Sequence, residues 1–159
     1  MHKKTNLSHD FQSILILLSL PKQTANKIEM IKRERLYDAF GELIYAVAMA
    51  DGNVQEEEII ALEKLLKRHP WAKEIEWSFN YEQNKHHSME DAFDHAINIC
   101  KENGPDPEYR YLLDVMTQVA EAFNGIVPQE QRIIENFKSD LHRQFEQDLL
   151  NNKLVITDD

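Results

Sequence analysis

The 159-residue chain carries 18 basic and 28 acidic side chains, a formal net charge of −10, and such a field repels nucleic acid and anionic lipid while attracting cations. At this length one domain buries roughly two-thirds of the surface its unfolded chain exposes, so neither disulfides nor a structural metal is required. The single cysteine, Cys100, rules out an intrachain disulfide and suits a reducing compartment. Helix formers dominate, glycine and proline are sparse, and no long stretch alternates with a two-residue period, which predicts an all-α, single-domain bundle of about seven helices.

Phe11 to Leu20 is the most apolar run. It is too short for a bilayer-spanning helix, which takes about twenty residues, and no small-x-small cleavage pattern follows it, although Lys3 and Lys4 precede it. Ser8 can cap a helix over about residues 9–20, which Pro21 ends. We expect this helix to be buried; the alternative is an exposed helix that docks a partner or a second copy in a homodimer. Residues 22–33 are polar and basic, with Lys22, Lys27, Lys32, Arg33 and Arg35 around a thin stripe of Ile28 and Ile31, so they form a solvated helix edge or a weak contact with anionic lipid. Residues 1–33 are thus expected to be a helical extension packed on a bundle of residues 34–150, with residues 151–159 a tail without pattern.

From Leu36 to Ala48 apolar residues recur at three- and four-residue steps, and they do so again from Ile59 to Leu66. Between these helices lies Asp51-Gly52-Asn53-Val54-Gln55-Glu56-Glu57-Glu58. Gly52 can take a positive φ and end the first helix, while the three glutamates complement the positive end of the next. Two readings are open. Either the acidic groups serve only as caps, or Asp51, Asn53 and Glu58 converge on a hard cation, Ca2+ or Mg2+ rather than Zn2+. It is not an EF-hand loop, because the twelfth position from Asp51 is Leu62 and the sixth is not glycine.

Trp71, Ile75, Trp77 and Phe79 form an aromatic segment expected to cover the helix pair, and a polar loop is expected over residues 80–87. Ser88 caps a helix reaching about Glu102, with Cys100 as an inert core thiol on its apolar face. On the same helix Asp91 and His95 could hold half of a zinc site; His87 sits one turn further back, too far along the axis to join His95 on one ion. A helix follows Pro107, and Pro128 opens the last, which runs to about residue 150. Asn124-Gly125-Ile126-Val127-Pro128-Gln129-Glu130-Gln131 echoes the acidic corner about 73 residues later, so two helix pairs are related by a pseudo-repeat. With Asn124 in place of Asp51 and Gln131 in place of Glu58, this corner, including Glu130, would hold a cation more weakly.

The Ala50-Asp51-Gly52-x-Val54 run with Glu58 at the start of the next helix, and its degenerate copy at Asn124, Gly125 and Val127, resembles the tellurite-resistance TerB family over about residues 34–150. That resemblance implies a cytoplasmic helical bundle with acidic metal-binding residues, Asp51 and Glu58 here. It also implies a stress-response role, against metal oxyanions or other chemical stress, in protein complexes that face the inner membrane. For catalysis the chain offers no Gly-rich phosphate loop, Gly-x-Ser-x-Gly, His-Glu-x-x-His or Cys-x-x-Cys, so it reads as a non-enzymatic cation-binding and partner-docking protein, or as a metal-free interaction module.

Overall fold

Apolar residues spaced at three and four positions leave each segment one economical way to hide them, and the computed structural model, which describes residues 7–151, is all-helical. The helices are α1 (Leu7–Ser19), α2 (Lys22–Ala48), α3 (Glu56–Leu66), α4 (Ala72–Lys85), α5 (Met89–Asn103), α6 (Glu108–Glu121) and α7 (Pro128–Leu150). Lys3, Lys4 and the tail after Asn151 lie outside the described residues. The chain divides within α2 into two units, residues 1–33 and residues 34–159.

In the first unit, Ile14, Leu15, Ile16 and Leu18 of α1 are exposed, not buried as expected. The polar stretch after Pro21 is the first half of α2, with Lys22, Lys27 and Lys32 in solvent and Arg33 3.9 Å from Glu29.

In the second unit the core runs from Leu36 to Leu141, with Tyr45, Phe40, Phe79 and Phe137 its largest enclosed side chains. α3 packs on α6, and α5 and α6 pack on α7. Cys100 is fully buried, and burial pushes its thiol up to about 12, with Glu42 and Asp106 adding to the shift, so it is the inert core thiol expected.

α2 and α4 pass close together at Gly41, where a Cβ would lie 2.4 Å from the Ile75 carbonyl oxygen and 2.7 Å from Ser78 Cβ. Ser78 Oγ donates to the Asp38 carbonyl at 2.6 Å across the same crossing. α4 itself was not expected. Its buried positions, Ile75, Ser78, Phe79 and Glu82, follow helical spacing, but two of them are polar, so the segment reads as an aromatic stretch running into a loop. The helix ends at His86, which takes a left-handed φ of 51°. Of the two tryptophans expected to cover the core, Trp71 stacks on Tyr37 with ring centroids 5.1 Å apart, whereas Trp77 is 62% exposed.

Candidate functional site

At the α2–α3 corner Gly52 has φ 97° and Glu58 is the third residue of α3. Glu58 Oε2 accepts from the backbone N–H of Gln55 at 2.7 Å. At the α6–α7 corner Asn124 and Gly125 have φ 57° and 84°, and Glu130 Oε2 accepts from the N–H of Val127 at 3.0 Å. The two corners are therefore built alike, but the equivalent of Glu58 is Glu130, not Gln131. The second loop is one residue shorter between its glycine and its N-cap, which moves the match by one place and keeps the acid.

Glu58 and Glu130 are both almost fully buried and their carboxyls hydrogen-bond to one another. Burial raises Glu58 to about 7, and Glu130 and Asp51 add to the shift. Glu130 is raised as well, chiefly by burial. A carboxylic acid on one corner thus donates to a carboxylate on the other, and the pair joins the starts of α3 and α7 inside the core.

Of the three residues expected to hold a cation, Glu58 is buried while Asp51 and Asn53 lie at the exposed turn before it. Asp51 is exposed and its Oδ1 accepts from the Asn53 N–H at 3.2 Å, a local turn bond, while Asn53 is exposed beside it. Asn124 and Gln131 are also exposed, and Gln131 Nε2 donates to Glu135 at 2.9 Å. Among the described residues no group of three or more His, Cys, Asp or Glu is arranged to hold a metal ion.

A second concentration of acid lies where α2, α4 and the start of α5 meet. Glu34, Asp38 and Glu42 stand at successive four-residue steps along one face of α2. A cleft of about 520 Å³ is lined by Asp38 and Glu42, by Trp77, Ser78, Tyr81 and Glu82 of α4, and by His87, Asp91 and His95. A second hollow of about 420 Å³ shares Asp38 and Trp77 with it and adds Glu34, Glu74 and Lys73.

Two histidine–carboxylate pairs close the inner wall. His95 Nδ1 lies 2.6 Å from Glu42 Oε2, and His87 Nδ1 lies 2.8 Å from Glu82 Oε2; both glutamates are buried while both histidines face solvent. Tyr45 Oη donates to the His87 carbonyl at 2.7 Å, which fixes the turn before α5. The outer wall is aromatic: the rings of Trp77 and Tyr81 stack at 5.3 Å with 19° between their planes, and Tyr81 is 41% exposed.

Burial raises Asp38 to about 6, helped by Glu34 and Glu74. Burial also raises Glu42, although the His95 hydrogen bond pulls it back. The cleft therefore holds negative charge in a place that disfavours it. Asp91 and His95, expected as half of a zinc site, do line one cavity, but the partner of His95 is Glu42, from a helix 53 residues earlier in the chain.

The acidic stripe on α2 was missed, although its four-residue spacing is a signal that could have shown it. Trp77, Tyr81 and Glu82 were not legible, because their helix was not recognised. Comparison with protein-family models, with curated proteins and with solved structures finds no match.

Proposed function

We propose that this chain is a non-catalytic docking protein whose α2/α4/α5 cleft receives a positively charged segment of a partner protein. The observation that carries the reading is the cleft itself: carboxylates from three helices line it together with a solvent-exposed tryptophan–tyrosine stack. Ammonium and guanidinium groups answer both features, since they pair with carboxylates and lie over aromatic faces. The raised carboxyl of Asp38 supports the same reading, because an incoming cation favours its charged form.

Docking rather than chemistry is also supported by the groups that could have served as nucleophiles. The Cys100 thiol is buried and held neutral, and the Ser78 hydroxyl is engaged with a backbone carbonyl. The TerB-like stress-response role in the cytoplasm would then be exercised through partner binding. The divalent cation implied by that resemblance finds weaker support, because both corner glutamates already cap helices and bond to each other.

The test is fluorescence polarisation with a labelled arginine- and lysine-rich peptide. Binding should weaken steeply with added salt, and Trp77→Ala should weaken it about tenfold, as expected for loss of a partly desolvated cation–π contact. Equal binding by parent and Trp77→Ala would remove the cleft from the reading. In parallel, Ca2+, Mg2+ and Mn2+ titrations of the unfolding temperature decide the corner: a saturable rise absent from Glu58→Gln would place a cation there.

A further inference from the structure

Within residues 1–33 two features occur together that the rest of the chain lacks. α1 leaves Ile14, Leu15, Ile16 and Leu18 exposed at 53%, 49%, 62% and 77%, an unusual display for four apolar side chains so close in sequence. The same stretch carries six basic and two acidic residues, whereas residues 34–159 carry twelve basic and twenty-six acidic. The sign of the charge changes at the boundary between the two units.

We propose that residues 7–33 are a docking surface for an anionic phospholipid bilayer. α1 is 13 residues long, about 20 Å, and among the described residues no helix is long and apolar enough to cross a membrane. Lying in the interface, α1 would place Ile14, Leu15 and Leu18, which share one face, among the acyl chains. Lys22 and Lys32, both exposed and about 80° apart around α2, would face the headgroups, and each basic side chain near such a surface strengthens attachment about fivefold.

The chain's net charge does not oppose this contact as strongly as its magnitude suggests. The Debye length is about 8 Å in physiological salt, so a bilayer touching α1 is screened from charges farther away than that. Charge also separates the bilayer from other occupants. A second copy would bring a second basic segment against this one, and nucleic acid has no use for four exposed aliphatic side chains.

The experiment is co-sedimentation of the full chain with phosphatidylcholine vesicles and with equimolar phosphatidylcholine–phosphatidylglycerol vesicles. Expected is pelleting with the phosphatidylglycerol vesicles, diminished by salt. It should be abolished in Ile14→Asp/Leu18→Asp and reduced at least tenfold in Lys22→Glu/Lys32→Glu, each lysine being worth about fivefold. All four positions are exposed, so these variants should melt with the parent. Absence of pelleting overturns the proposal, as does equal pelleting with both vesicle types. A dimer in solution that Ile14→Asp/Leu18→Asp dissociates, without vesicle binding by the parent, overturns it in favour of self-association.

Discussion

Glu58 makes two hydrogen bonds that ask for different things. Its Oε2 caps α3 by accepting from Gln55, and its carboxyl donates a hydrogen bond to Glu130. Glutamine can do both, accepting through Oε1 and donating through Nε2, whereas alanine can do neither. Glu58→Ala should therefore cost about 1–3 kcal/mol in chemical denaturation, from the lost cap and from the loss of the buried bond to Glu130, which keeps only its Val127 N–H. Glu58→Gln should melt close to the parent but respond differently to pH. A carboxyl raised from 4.5 to about 7 in the folded state holds its proton more tightly there than in the unfolded chain. Its contribution is complete below about pH 4.5 and is lost as pH rises through 7. Asp38, raised from 3.8 to about 6, has the same sign. The parent should accordingly lose stability between about pH 4.5 and 7. Glu58→Gln should flatten the upper part of that fall and Asp38→Asn the lower part. A parent that gains stability across this window would contradict both assignments. At this scale the sequence reading succeeded where chemistry is local, as with the inert Cys100 and the positive φ of Gly52. It erred where chemistry depends on a distant partner. Nothing near Glu58 in sequence announces Glu130, and nothing near His95 announces Glu42.

Among the elements, α4 is the one that sequence periodicity concealed, and it supplies half of the cleft. The expected number of helices was nevertheless met, since the stretches before and after residue 34, read separately, are one 27-residue helix. Periodicity found α5, α6 and α7 because each buries a nearly unbroken apolar face. It missed α4 because Ser78 and Glu82 occupy inward positions there, one bonded to the Asp38 carbonyl and the other to His87. The crossing of α2 and α4 depends on the absence of a side chain at Gly41. A methyl group there would meet backbone atoms of α4, Ile75 O at 2.4 Å and Phe79 N at 2.9 Å, and backbone cannot turn aside as a side-chain tip can. Gly41→Ala would otherwise favour a helix by up to about 1 kcal/mol, so its sign measures packing against propensity. Overpacking should win, with a net loss of about 1–3 kcal/mol by urea denaturation and weaker peptide binding as α2 and α4 are pushed apart. A stabilised Gly41→Ala protein would show that the crossing relaxes freely.

For the molecule as a whole, the division at Arg33 and Glu34 separates apolar and basic character from the acidic remainder, and every described buried hydrophobic side chain belongs to the second unit. Those buried residues begin at Leu36, two positions after the boundary, so cutting the chain before Glu34 removes none of them. It also removes a net positive charge and leaves the remaining residues more acidic than the full chain, which increases repulsion within the compact state. Residues 34–159 alone should therefore still unfold in one cooperative step, at a midpoint lowered slightly in low salt and restored by added salt. The cleft should keep its affinity for a basic peptide, because its lining residues, Asp38 to His95, all remain. Vesicle binding should vanish. The three measurements on one truncated protein test the assignment of roles to units: cooperative melting and peptide binding retained with lipid binding lost supports it, whereas a truncated chain without a cooperative transition would show that the core needs the first 33 residues despite taking no described buried hydrophobic side chain from them.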